Sequence, residues 1–583
     1  MCGIWAIFGH ETSNYLTSCE HNFVKIQHRG PDAWRIEYDN HVKKTYVGFH
    51  RLEIVDSLYG MQPMKLHRYV TYVGFHRLEI VDSLYGMQPM KLHRYPRVTL
   101  ICNGEIFNFK RLGTQYGFQY ETSCDVEAII QLYGQFGIKK AVQQLDGVFA
   151  FALIDKEKHR VYFARDPYGV RPLFRLENAD DIVAVCSEAK GLIDLGHELR
   201  ARCKISPFPP RTIAEYELLK DGKVRFIREE QYYQIGDKPN FEPFIKYSDL
   251  APADVLQNIR TLLTGSVKKR LMSDRRIGCM LSGGLDSSLI AALLVKLAKE
   301  ESLPYKIQSF AVGMGESPDI IAARQVAKHI GTEHHEVLFT PEDVTDVLDN
   351  VLYHLETADI TTTRASIGMY FVSKYIQENT DTIVVFSGEG ADELAQGYIY
   401  FRDAPSSEAA HQESFRLLSD IYLYDGLRAD RTTAAHSLEL RVPFLDLQFT
   451  NYFLSLPAEL RQPKDGIEKH LLRSAFDNDD LLPKNILWRH KEAFSDGVTT
   501  VKRSLFNIIQ DWVDERIDDE ALKRAPKAFP HCPPATKEAL YYRMVFERKY
   551  PGCAENFMPY FWMPRWTNVK DPSARFIKHY AAK

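Results

Sequence analysis

The chain has 583 residues, room for two large domains or several small ones at roughly 100–200 residues each. Hydrophobic residues make up 45% and charged residues 26%, which excludes a disordered chain. Lys+Arg 73 against Asp+Glu 77 leaves −4, which excludes a general electrostatic attraction to nucleic acid or an anionic membrane.

The segment Cys2-Gly-Ile-Trp-Ala-Ile-Phe-Gly9 reads as an apolar strand with a glycine at each end, which plants the chain start inside a sheet. Removal of Met1 would leave Cys2 with its own base, since an α-amine titrates near pH ~8 and can take the thiol proton. That start lacks the charged and long apolar regions of a signal peptide, and no apolar stretch approaches membrane-spanning length. Nine scattered cysteines without a CxxC pair offer neither a disulfide framework nor a zinc site, so a cytosolic enzyme is expected.

Thr45–Tyr69 recurs without change as Thr71–Tyr95, with Val70 between. Two identical copies do not make a solenoid. One copy is expected to occupy a sheet while the other bulges out. Val148–Ile154 and Arg160–Ala164 are strand-like, and to about residue 235 the pattern predicts stacked antiparallel sheets. Residues 236–253, rich in Pro, Asp and Lys, read as a linker between domains at 2–235 and 254–577. The basic run Val267–Arg270, with Arg275 and Arg276, reads as a solvated helix end.

Ile277–Leu281, Ile307–Val312 and Thr382–Phe386 are apolar strands, each followed by a helical segment, which predicts a parallel sheet. The turn after the first, Ser282-Gly-Gly-Leu-Asp-Ser-Ser288, has glycines that let backbone N–H groups approach phosphate at a helix N-terminus. Ser282, Ser287 and Ser288 supply hydroxyls beside Gly283 and Gly284, and Asp286 is placed for Mg²⁺. The Walker A pattern is absent, which disfavours ordinary γ-phosphate hydrolysis. Ser317–Gly331 carries a Ser cap, Pro at the first helical position and a Gly stop. His334-His335 reads as a polar edge before a strand Glu336–Phe339. Ser387-Gly-Glu-Gly-Ala-Asp-Glu393 follows a buried strand, where three acids need cations to coexist. Ser414–Tyr424 and Ile467–Phe476 are amphipathic helix candidates, and Phe557–Trp566 a docked aromatic tail.

These motifs resemble known families. Cys2–Gly9, His28–Asp32, Asn103–Asn108, Asp146–Ala150 and Arg165–Pro172 are similar to the class II glutamine amidotransferase domain of the N-terminal-nucleophile superfamily. The resemblance implies an α/β/β/α sandwich that hydrolyses glutamine through a Cys2 thioester. It implies an oxyanion hole from the Asn103 side chain and the Gly104 N–H, with Glu105 and Asp125 on the substrate ammonium. The carboxylate would fall to the arginine of the duplicated segment, Arg51 or Arg77, with Arg51 favoured by its hairpin.

Ser282–Ser288 resembles the PP-loop of ATP pyrophosphatases. With Thr361–Ser366, Arg428–Thr433, Arg441–Asp446 and Arg489–Gly497 it extends the match to the glutamine-hydrolysing asparagine synthetase family over residues 2 to about 577. That resemblance implies an α/β domain with a helical subdomain in which aspartate, ATP and glutamine give asparagine, AMP, diphosphate and glutamate through an aspartyl adenylate. Leu281, Val312, Ser387 and Gly388 would contact ATP, and Glu389 would guide adenylate formation and ammonia attack. Thr361, Arg364 and Asp392 would bind aspartate, and Lys491 would neutralise phosphate charge. A homodimer in the cytosol and an ammonia channel are family implications only. Ala391, Ser437, His490, Cys102 and Pro209-Pro-Arg211 depart from the family pattern without removing an assigned role. Two other readings compete: a synthetase restricted to free ammonia because the duplication spoils the glutaminase, and a degenerate assembly subunit.

Overall fold

The computed structural model describes the chain except residues 1, 10–15, 32, 39–43, 52–87, 180, 200–202, 242–251, 478–479, 492–496, 500–503, 574–575 and 578–583. Two compact units result: Met1–Gln234 with Pro239–Phe241 and Met272–Arg275, and Ile235–Lys238 with Glu242–Leu271 and Arg276–Lys583. Most of the expected linker lies outside the described residues.

In the first unit, alternating apolar segments form β1 (Gly3–Phe8), β2 (Ala33–Tyr38), β3 (Thr45–Arg51), β4 (Val98–Ile106), β5 (Gly147–Asp155) and β6 (Arg160–Arg165). They are followed by β7 (Phe174–Glu177), β8 (Val183–Cys186), β9 (Lys204–Pro207), β10 (Thr212–Leu218) and β11 (Val224–Gln231). Six of them build an antiparallel sheet in the order β2-β3-β1-β8-β7-β9, and five a second in the order β11-β10-β6-β5-β4. Because strand side chains alternate, Ile4, Ala6 and Phe8 of β1 meet Ile101, Ala150, Ala152 and Phe163 of the other sheet in one core. Outside it, Trp5 Nε1–H donates to the Gly191 carbonyl at 2.9 Å, fastening β1 to the helix Lys190–Glu198. Helices Phe109–Tyr116, Glu127–Phe136 and Ile138–Gln144 accompany the second sheet, giving an α/β/β/α sandwich.

The duplicated segment divides differently from expectation. β3 is the head of the first copy, in register with β1 from Gly3 opposite His50 to Phe8 opposite Thr45. The tail of the second copy is built in at β4. There Met90 bridges Leu100, the Gln88 amide donates to the Cys102 carbonyl at 3.0 Å, and its oxygen accepts the Cys102 N–H at 2.5 Å. Among the described residues, one sheet takes the front of the first copy and the other takes the back of the second; residues 52–87 lie outside the described residues.

The second unit holds a parallel sheet in the order β14-β13-β12-β15-β16. Its strands are β12 (Arg276–Met280), β13 (Gln308–Gly313), β14 (Glu333–Leu338), β15 (Thr382–Phe386) and β16 (Glu439–Arg441). The helix Pro318–Ile330 has the expected ends, with the Ser317 hydroxyl accepting the Ile320 N–H and Gly331 closing it at φ 79°. Three expectations are corrected. His334 and His335 lie inside β14, where His334 Nδ1 meets the Ser309 hydroxyl at 2.9 Å and so gains a partner on the neighbouring strand. The basic run is not a solvated helix end: Arg270 is buried, and with Lys269 it neutralises the buried Asp446, with Arg270 Nη1 2.8 Å from the carboxylate. The expected helix Ile467–Phe476 begins only at His470, because Lys469 adopts φ 57°. Ser437, where the family pattern has glycine, also stands in the left-handed region at φ 57°. Trp562 packs with Tyr400 and Phe401 as a docked tail. Among the described residues no helix is long and apolar enough to cross a membrane.

Candidate functional sites

The first site lies at the start of β1, held between β3 and β8. The Cys2 N–H donates to Asn103 Oδ1 on β4 at 3.2 Å, reaching from one sheet to the other. That contact fixes which way the Asn103 amide faces and leaves its Nδ2 buried without a hydrogen-bond partner among the described residues. Such a donor costs about 1–3 kcal/mol when left unsatisfied, and it is suited to an oxygen that acquires negative charge. Next to it, a Cβ on Gly104 would lie 2.3 Å from the Val148 carbonyl oxygen, so only glycine fits this approach of β4 to β5.

Glu105 accepts from Arg171 Nη2 at 2.5 Å, and both are buried. The Arg165–Pro172 motif sets that arginine in place. The Asp166 carboxylate accepts the N–H groups of Tyr168, Val170 and Arg171 at 3.1, 3.0 and 2.9 Å. Arg165 meanwhile satisfies the carbonyls of Gly169, Arg171 and Phe208. Asp125 accepts the Ile106 N–H at 2.5 Å. Burial, helped by Asp125 and Glu105, pushes the Cys102 thiol well up, so it stays protonated. The backbone of Arg51 pairs opposite Ala33 in β3, whereas Arg77 lies outside the described residues.

The second site is a cavity of ≈ 280 Å³ at the carboxyl ends of β12, β13 and β15, where ligands bind in open α/β sheets. Leu281, Ser282, Gly284, Asp286, Ser287, Val312, Thr361, Arg364, Ser387, Gly388, Glu389, Asp392 and Lys491 all line it. Gly283 and Ser288 sit behind that lining: Gly283, at φ 72°, packs on Ala322 and Ala323, and Ser288 is buried. The Ser282 and Ser287 hydroxyls are 3.0 Å apart, closing the loop on itself at the start of the helix Leu285–Glu300. A Cβ on Gly388 would come 2.9 Å from Asp286, so the Ser387–Glu393 loop is pressed against the first loop.

Sequence reasoning missed Lys469. Its left-handed backbone turns the ammonium onto Asp286 and to 2.5 Å from Asp392 Oδ1, while Lys491 donates to Asp392 Oδ2 at 2.6 Å. Burial works to raise the Asp392 pKa, but the two lysines outweigh it and hold the carboxyl far below its usual range. Burial likewise disfavours charge on Lys491, but Asp392 and Asp286 outweigh it and keep the amine protonated. The only sequence signal for Lys469 was a cation on a segment read as an ordinary helix.

Burial pushes Glu389 up to about 7, opposed by Arg428, whose Nη2 donates to it at 2.8 Å. Thr361 Oγ1 is buried without a hydrogen-bond partner among the described residues. Arg364 is saturated: it forks onto Glu538 at 2.8 and 2.5 Å and onto Asp571 at 2.8 Å twice. A substrate carboxylate on Arg364 therefore has to displace Asp571. Among the described residues no group of three His, Cys, Asp or Glu side chains is arranged to hold a metal. Asp286 Oδ1 is buried without a hydrogen-bond partner among the described residues. One hard oxygen with an unused lone pair fits Mg²⁺, which is commonly held by one or two carboxylates together with substrate phosphates.

Comparison with known proteins covers both halves of the chain. The family model described as Asparagine synthase matches residues 258–413 and 402–568, and that described as Glutamine amidotransferase domain matches residues 1–74 and 66–207. The glutamine-hydrolyzing asparagine synthetase of Gallus gallus is 51% identical over 584 residues, covering 100% of this chain and 99% of that one. Those of Bos taurus and Homo sapiens are 51% and 50% identical, with the same coverage.

Proposed function

The chain belongs to the glutamine-hydrolysing asparagine synthetase family, and from that premise we propose how its residues divide the ATP-dependent synthesis of asparagine from aspartate and glutamine. The observation that carries the reading is the pairing in one chain of the Cys2–Asn103 contact with a cavity where Asp286, Asp392 and two lysines meet beside the Ser282–Ser288 loop.

At the first site, Cys2 Sγ attacks the glutamine side-chain amide while the terminal amine exposed by loss of Met1 takes the thiol proton. The orphaned Asn103 Nδ2 and the Gly104 N–H receive the oxyanion. Arg51 holds the substrate carboxylate, with Arg77 as the alternative from the second copy. Asp125, and Glu105 anchored by Arg171, hold the ammonium.

In the cavity, the loop from Ser282 through Gly283, Gly284, Ser287 and Ser288 receives phosphates at a helix N-terminus, and Leu281, Val312, Ser387 and Gly388 surround the nucleotide. Asp286 would hold Mg²⁺, which would supply charge neutralisation there when bound. Lys491, together with Lys469, stabilises charge on the departing diphosphate. Thr361, Arg364 and Asp392 orient aspartate so that its side-chain carboxylate attacks the α-phosphorus. Glu389 accepts the proton released when ammonia attacks the adenylate. A homodimer in the cytosol completes the proposal, and light scattering on the purified protein tests the first of these.

Purified protein given aspartate and Mg-ATP is expected to make asparagine, AMP and diphosphate from either glutamine or ammonium chloride. Product from ammonium alone restricts the enzyme to free ammonia and places the fault at the duplicated segment. Product from neither overturns the reading in favour of a degenerate subunit.

A further inference from the structure

Beside Glu389, in the lining of the same cavity, is a cluster that the reaction just described does not use. The Tyr398 hydroxyl is 2.7 Å from Glu393 Oε1 and 2.8 Å from Asp425 Oδ2. A phenol has a single proton to donate, so two ionised carboxylates around it would leave lone pairs facing each other. One of the two acids must therefore carry a proton. Asp425 Oδ1 already accepts from Arg428 Nε at 3.1 Å and Nη2 at 2.8 Å, contacts that hold it ionised. Among the described residues Glu393 has no such cation in its hydrogen bonds, and it is only 3% exposed. Burial first, then Asp425 and Asp392, drives its pKa well above the ordinary carboxylate range.

We propose that Glu393 is a neutral carboxylic acid whose O–H donates to Tyr398, which donates to Asp425, and that this chain positions the charge on Arg428 that sets the basicity of Glu389. The inference rests on the reading of Glu389 as the group that accepts the aminolysis proton. In that step ammonia forms the C–N bond, the C–O bond to AMP breaks, and one proton is released to Glu389. Arg428 Nη2 serves Glu389 and Asp425 together, each at 2.8 Å. Whatever weakens the hold of Tyr398 on Asp425 makes Asp425 a stronger competitor for Arg428 and leaves Glu389 more basic. Among the described residues, the other charged and titratable groups facing the cluster are Asp359, Tyr400 and Asp392, the last neutralised by Lys469 and Lys491. Glu393, Tyr398 and Asp425 are positioning residues here, acting through Arg428 on Glu389.

Infrared spectroscopy and pH profiles test this on the full chain. The difference spectrum between the native protein and Glu393→Gln should show the loss of a protonated carboxylic acid carbonyl band; loss of carboxylate bands instead would overturn the proposal. This readout needs no activity, so it stands apart from any failure of the proposed reaction. Glu393→Gln keeps a neutral N–H donor towards Tyr398. Its ammonium-dependent kcat, corrected for the fraction of free ammonia, should keep the acid limb of the native protein within a few tenths of a pH unit. Tyr398→Phe should move that limb upward by about one unit, with KM for ATP unchanged. An unmoved limb in a folded Tyr398→Phe would also overturn the proposal, and if that variant fails to fold, the infrared comparison decides alone.

Discussion

Around Cys2, acids are held by donors from the fold: Arg171 donates to Glu105, and the Ile106 N–H to Asp125. Around Asp392 the same kinds of residue are crowded, with one carboxylate between two lysines and one of those lysines also on Asp286. The difference follows from the chemistry proposed for each. Thiol attack on a neutral amide needs a place for one transient oxyanion, and the Asn103 amide with the Gly104 N–H provides it. Moving phosphates needs cations that are already desolvated and aimed, and these stay charged in a buried cavity only if carboxylates hold them until the nucleotide arrives.

Substitutions can break this contrast at either end. Cys2→Ala should abolish glutamine-dependent synthesis and leave ammonium-dependent synthesis intact, as product assays with the two nitrogen sources would show. Asn103→Ala should lower the glutaminase kcat by about 10²–10³, with little change in KM, if its orphaned amide meets the oxyanion. Lys469→Ala should leave glutaminase activity untouched and lower ammonium-dependent kcat by about 10². An effect equal to that of Lys491→Ala in diphosphate release would place the two lysines on the same phosphates.

Acid titration sharpens the comparison further. Burial opposes charge on Asp446, but Lys269 and Arg270 outweigh it and hold its pKa down to about 2. A depressed carboxyl contributes stability that is present above its unfolded pKa near ~4 and is lost as pH falls through the folded value. Asp446→Asn should therefore flatten the fall in thermal stability between about pH 4 and pH 2. The smallest expected effect is at Ser437, where φ is 57°: Ser437→Gly should stabilise the protein by about 1 kcal/mol, read as a raised Tm.

Local signals carried much of this architecture into the sequence. Glycines bounding the β1 segment, the cap and stop of the helix Pro318–Ile330, and apolar strands leading into Ser/Gly turns were all readable because neighbours in the chain cause them. What stayed hidden depends on partners far away in sequence. Lys469 looked like one charge on a helix until Asp286, 183 residues earlier, claimed it. Arg270 looked solvated because its counterion Asp446 lies 176 residues further on. Arg364 was legible as a cation but not as one saturated by Glu538 and Asp571. The proton shared by Glu393, Tyr398 and Asp425 depends on two distances that no spacing encodes.

The split use of the repeat has a consequence for how the gene can change. Because β3 draws on the first copy and the β4 contacts on the tail of the second, the built-in ends bracket a stretch that is redundant as information. Excising any 26 consecutive residues that start anywhere from Thr45 to Val70 returns one and the same shorter chain, with the β3 sequence and Gln88–Tyr95 both kept. Many independent mutational events thus converge on a single product, one that keeps the sequence of both built-in ends.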